Sequence, residues 1–193
     1  CGAQLSPVPV AYETYGQAYN GHNAILVCHA LTGDQYVAGP HALTGRPGWW
    51  ENTIGPGKAI DTNVYHVICS NILAGCMGTL GPGDDRTRQK VTQPNPQEAA
   101  PSTGPQPFGT HFPIVTMGDI VRVQKALLDH LGIDQLFMVV GGSMGGMQVQ
   151  EWLTRYSPII YSAVLLATSS RHSAQNIALH ELGRQAILAD PAW

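Results

Sequence analysis

An apolar run at residues 136–140 empties directly into Gly141-Gly142-Ser143-Met144-Gly145, and a helix-like stretch follows. A G-x-S-x-G pattern between strand and helix demands a turn so sharp that side chains beside it collide, so glycines bracket the serine. The serine is then held in a strained conformation with its hydroxyl presented to a cleft. In a chain with 22 glycines the pattern alone says little. The strand before it and the helix after it give it weight, and Ser143 reads as a catalytic nucleophile.

Other apolar runs, at residues 8–12, 24–28, 64–69 and 163–167, read as strands. Those after the first lack polar alternation, which is expected of strands covered on both faces, as in a parallel sheet flanked by helices. Between the last three strands lie helical patterns. Ile120, Val123, Leu127, Leu128 and Leu131 recur at helical spacing over 118–131, and Gly132 is a natural stop. Residues 144–156 give the helix after the elbow, closed near Pro158, and residues 173–188 give another. Strand alternating with helix means an α/β architecture. Residues 81–113 break the pattern, with seven of the chain's 14 prolines. A proline-rich polar stretch is expected as a surface excursion, read as a tolerated insertion rather than a lid.

With 44% hydrophobic and 12% charged residues, the 193-residue chain can bury a core in one domain. A net charge of −3 without any Lys/Arg cluster argues against nucleic acid or an anionic membrane as partner. No apolar run approaches the length of a membrane span. The cysteines, at 1, 28, 69 and 76, lack C-x-x-C spacing. Cys28 and Cys69, in strand-like runs, read as buried thiols acting as small hydrophobes. No metal site is expected, and a reducing cytoplasm is the expected compartment.

Acyl transfer through a serine generates a tetrahedral oxyanion, and each backbone N–H aimed at it is worth about 2.7–4 kcal/mol. In serine enzymes built on such an elbow, one donor is the residue after the nucleophile, here Met144, and the second comes from a loop after an earlier strand. Residues 25–34 are a strand running into such a loop, which makes Leu31 the second donor. His29 reads as a residue that shapes this loop rather than a catalytic base. The glycines around Ser143 lack both the G-x-G-x-x-G register and a Gly-Lys-Ser/Thr ending, so nucleotide binding through those motifs is not expected. After Ser143 only His172 and His180 remain, with Glu151 the only acid before His172. Both histidines come too soon after the elbow to serve as its base.

Several stretches stand in order along the chain: Val10-Ala-Tyr-Glu-Thr-Tyr-Gly16, His29-Ala-Leu-Thr-Gly-Asp34, Pro47-Gly-Trp-Trp50, Ile54-Gly-Pro-Gly-Lys-Ala-Ile-Asp61 and Gly141-Gly-Ser-Met-Gly-Gly-Met-Gln148. Ser173-Ala-Gln-Asn-Ile177 and Gly183-Arg-Gln-Ala-Ile187 continue the series. Together they closely resemble the homoserine O-acetyltransferases of the α/β-hydrolase fold, enzymes of the methionine pathway. The resemblance runs nearly end to end, apart from the proline-rich region.

The resemblance implies a ping-pong reaction in which Ser143 takes an acetyl group from acetyl-CoA and passes it to L-homoserine. It matches Leu31 and Met144 to the oxyanion hole and sets Thr32 beside the substrate pocket. It implies no bound cofactor, a cytoplasmic enzyme and a homodimer assembled largely through cap helices. The family's catalytic Asp and His lie further toward the C-terminus and have no matching positions here. The implied organisation is an α/β-hydrolase core at 1–171, with its excursion at about 81–113, and the start of a helical cap at 172–193. The resemblance also implies a chain lacking some N-terminal residues, the end of the core and most of the cap, and inactive alone. Competing readings are a succinyl donor, a serine acceptor, an ester hydrolase and a non-catalytic scaffold of the same fold.

Overall fold

The computed structural model describes residues 2–85, 87, 90–92 and 105–192, with the backbone alone for 90–92. In chain order the strands are β1 (Gln4–Ser6), β2 (Tyr12–Gly16), β3 (Ala24–Cys28), β4 (Ile54–Gly55), β5 (Ile60–Asp61), β6 (His66–Ser70), β7 (Lys90–Thr92), β8 (Leu136–Gly142) and β9 (Ile160–Leu166). The helices are α1 (Met117–His130), α2 (Met144–Tyr156) and α3 (Ala174–Leu188). The main sheet runs β2-β6-β3-β8-β9, with β2 antiparallel to β6 and every other pair parallel. Two short pairs, β1 with β7 and β4 with β5, stand apart from it.

The uninterrupted apolar strands have the cause the sequence suggested. Successive residues of a strand point to opposite faces, and in β3 both faces are buried. Ala24, Leu26 and Cys28 join Ile68, Val139, Val121, Leu128, Val149 and Trp152 in a cluster beneath α1 and α2. Ile25 and Val27 join Val67, Cys69, Val140, Val37, Ile54 and Ile60 on the other side. That second face is covered by the irregular segment from 34 to 61, rich in glycine and proline, rather than by a described helix.

Three expectations shift. Residues 8–11 are not a strand: Pro7 and Pro9 have no N–H to give to a ladder, and regular pairing starts at Tyr12. Strand β9 is not covered on both faces, because it is the edge of the sheet among the described residues and leaves Tyr161, Val164, Leu165 and Leu166 exposed. The proline-rich region is not wholly a surface excursion. Phe108 is buried in a third cluster with Ile72, Leu73, Leu80 and Ile120, so the returning end of the segment is anchored in the core. Residues 86, 88–89 and 93–104 of that stretch lie outside the described residues.

Helix boundaries follow from their caps. Thr116 precedes α1 and accepts from the Asp119 N–H, while the Asp119 carboxylate accepts from the Thr116 N–H, a reciprocal capping box. Gly132, at φ +70°, ends the helix as expected. Ser173 caps α3 through the Asn176 N–H, and α3 buries none of its residues. No helix among the described residues is long and apolar enough to cross a membrane. Cys28 and Cys69 are buried free thiols whose pKa values burial pushes up, and Cys76 is an exposed one.

Candidate active site

Ser143 is the single residue between β8 and α2, at φ 54° and ψ −120°, a conformation that residues with a Cβ avoid. Its backbone is fixed from both sides. Its N–H donates to the Leu166 carbonyl at 3.0 Å, and its own carbonyl accepts from the Thr168 hydroxyl at 2.7 Å. The residue itself is exposed. Room for the turn comes from two glycines. A methyl on Gly145 would run into the Cys28 carbonyl, and one on Gly141 would run into the Gly145 backbone. Gly142, at the variable position of the pattern, has nothing nearer than 3.7 Å to such a methyl.

That close approach brings the elbow against the end of β3, whose last residue Cys28 is paired with Gly141. Beyond Cys28 the chain makes a turn closed by the Gly33 N–H on the Ala30 carbonyl at 3.0 Å, with Leu31 and Thr32 exposed at its tip. Leu31 is 74% exposed, so this apolar side chain stands outside the core. Met144 opens α2; its N–H lies in the first turn, where no intrahelical acceptor exists and the helix dipole is positive. Both sequence-expected donors and Thr32 therefore sit on the two segments that meet at the elbow.

His29 is 1% exposed and wholly engaged. Its Nε2 accepts from the Ile72 N–H at 3.2 Å, which leaves the proton on Nδ1 to be donated to the Ala30 carbonyl at 2.7 Å. Burial, the largest influence, lowers its pKa and keeps the ring neutral. It shapes the loop, as its position in the sequence suggested. Glu151 is bound to Arg155 one turn along α2. His172 and His180 stack edge to face at 5.7 Å beside and on exposed α3, and among the described residues no histidine is hydrogen-bonded to the Ser143 hydroxyl. No group of three or more His, Cys, Asp or Glu among the described residues could hold a metal ion.

Several residues of the site carry no local sequence signal. Thr168, just past β9, meets the elbow only because β9 pairs with β8; its methyl fills the space that a side chain on Gly146 would need. Asp34 accepts from His41 Nε2 at 3.0 Å and from the Tyr36 N–H at 2.8 Å, folding the segment after the loop back on itself. A groove of about 1090 Å³ between the N-terminal residues and α1, lined by Leu5, Val8, Val10 and Val123, shares no residue with the elbow.

A parallel sheet with one antiparallel strand at its β2 edge, and a strained serine between strand and helix pressed on a neighbouring strand's end, define a class. The chain belongs to the alpha/beta hydrolase fold family, whose profile matches residues 23–193. Within that class it is similar to homoserine O-acetyltransferases. The one from Rhodospirillum rubrum is 55% identical over 193 residues, covering 100% of this chain and 46% of that protein. The one from Caulobacter vibrioides is 51% identical over 193 residues, covering 100% of this chain and 47% of that protein. Among solved structures, homoserine O-acetyltransferase from Bacillus anthracis superposes with a TM-score of 0.78 at 33% identity, over 96% of this chain and 48% of that one. Esterase E22 superposes with a TM-score of 0.76 at 34% identity, over 96% of this chain and 49% of that one. The chain spans about half the length of the curated relatives it matches.

Proposed function

We propose that the protein moves an acetyl group from acetyl-CoA to the hydroxyl of L-homoserine by a ping-pong mechanism, in L-methionine biosynthesis. The observation that carries the reading is Ser143 at positive φ on the β8–α2 junction, pressed against the end of β3. The Ser143 hydroxyl attacks the thioester carbonyl, and the oxyanion is stabilised by the N–H groups of Met144 and Leu31. The tetrahedral intermediate collapses, CoA leaves as its thiol, and an acetyl-serine forms. The homoserine hydroxyl then attacks that ester, and the same two N–H groups serve the second intermediate. A histidine held by an aspartate, in the remainder of the protein, moves the protons in both halves. Thr32, beside the loop tip, lines the acceptor pocket. Residues 1–171 form the catalytic core and 172–193, with exposed α3, begin a helical cap. The enzyme works as a cytoplasmic homodimer with no bound cofactor.

The likeness to esterase E22 favours a second reading, in which water discharges the acetyl-serine. One experiment separates the two. The full-length protein is incubated with acetyl-CoA alone and examined by intact mass. An acetyl adduct that Ser143→Ala abolishes and homoserine discharges supports the transferase. An adduct formed from a simple ester but never from acetyl-CoA overturns it in favour of the esterase.

A further inference from the structure

Beneath the loop lies a run of buried polar groups, linked one to the next. Trp152 Nε1 donates to Gln124 Oε1 at 2.8 Å. Gln124 Nε2 donates to Gln148 Oε1 at 2.7 Å, and Gln148 Nε2 donates to the His29 carbonyl at 3.0 Å. Trp152 and Gln148 are fully buried, and Gln124 is 2% exposed. The run has a fixed direction. An indole N–H can only donate, so Gln124 must turn its oxygen toward Trp152 and its amide N–H₂ toward Gln148. Gln148 must then present its own N–H₂ to His29. Reversing either amide would oppose two donors or two acceptors at a buried site.

We infer that Gln148 is a positioning residue for the oxyanion hole, fixing the loop that carries Leu31 by holding the His29 carbonyl; this rests on the reading of Leu31 and Met144 as its donors. The His29 carbonyl lies just past the last rung of the ladder, Cys28 with Gly141, where the sheet no longer fixes it. The peptide plane it belongs to is followed one residue later by the one bearing the Leu31 N–H. Gln148 sits four residues after Met144, on the same face of α2. The rigid element that carries one donor thereby grips the loop that carries the other. The next peptide is held from within the loop by the Gly33 N–H and His29 Nδ1 on the Ala30 carbonyl, and the Gln148 amide ties that loop to the helix that carries Met144. A buried amide is costly unless paired, and an apolar side chain of equal volume would fill the same space. Retaining the amide is understandable if the carbonyl it holds must not tip.

The test uses the full-length protein, 4-nitrophenyl acetate as the acyl donor, and the pre-steady-state rate of Ser143 acetylation. Gln148→Met keeps the volume and removes the donor; the acetylation rate should fall about 10- to 100-fold, with KM for the ester within about twofold of wild type. Gln148→Glu adds a second readout. As a neutral acid it can still donate to His29 and accept from Gln124, and burial raises its pKa. Its acetylation rate should therefore be near wild type at low pH and fall as the acid ionises, a limb the wild-type profile lacks. Trp152→Phe, which removes the indole N–H that sets the direction together with part of a buried ring, should lose about three- to tenfold and serves if Gln148→Met does not fold. Acetylation of the folded variants within about twofold of wild type overturns the inference, as does a change in melting temperature alone. A wild-type enzyme that the ester never acetylates refutes the Ser143 reading and the inference with it. One acetylated by the ester but not by acetyl-CoA refutes only the donor, and the variants then decide the inference on the ester.

Discussion

Ser143 holds a backbone conformation that costs about 1–3 kcal/mol, and its neighbours show how that cost is sustained. The hydrogen bonds to Leu166 and from Thr168 lock the peptide groups on both sides of it. Gly145 lets the first turn of α2 lie directly on the Cys28 carbonyl. Two glycines that look equivalent in the sequence are therefore not equivalent. Gly145→Ala should cost about 1–3 kcal/mol or more, because the methyl has only rigid backbone to displace. Gly142→Ala should stay within about 0.5 kcal/mol of wild type, its added methyl meeting only ordinary contacts. Urea unfolding of the two variants checks this, and equal losses would contradict it. The glycines and the serine were legible in the sequence because a turn this tight has few chemical solutions. Thr168 was not, since its partner lies 25 residues away and meets it only when β9 docks beside β8.

At the scale of elements, helix limits were readable to within a residue because their caps are local chemistry. The expected span 118–131 became Met117–His130 once the Thr116–Asp119 box set its start. In that box, burial acts to raise the Asp119 carboxyl, but the Thr116 hydroxyl and N–H and then Arg122 outweigh it and hold its pKa below the usual range. Thr116→Ala should lower stability by about 1 kcal/mol. Because the folded pKa is depressed, the contribution of Asp119 is present above its unfolded value and is lost as pH falls through the folded one. The deficit of Thr116→Ala should therefore be largest near neutrality and shrink in acid, which denaturation midpoints at several pH values will reveal. The first strand of the main sheet starts at Tyr12 rather than at Val8 for an equally local reason. Val8 and Val10 look strand-like, but the prolines at 7 and 9 interrupt the N–H ladder.

At the scale of the whole molecule, the described residues include one well-covered region and one exposed flank. Around β3 and β6 both sheet faces are sealed. At the other end, β9 exposes Tyr161, Leu165 and Leu166, and α3 exposes Ile177, Leu179, Leu182, Ile187 and Leu188. Exposed apolar side chains in this number drive association. Produced on its own, the 193-residue chain should self-associate and bind a hydrophobic dye strongly, whereas Leu165→Asp and Leu182→Asp together should reduce both. Sedimentation of the two forms measures the difference, and a monodisperse wild-type chain would contradict it. The sequence by itself determined the α/β class, the strand–serine–helix junction, the caps and the buried thiols, because each depends on neighbours within a few residues. Tertiary structure alone decided which carbonyl Gln148 grips, which hydroxyl steadies Ser143 and which strand is left at the edge. Those contacts join residues that only the pairing of distant strands brings together.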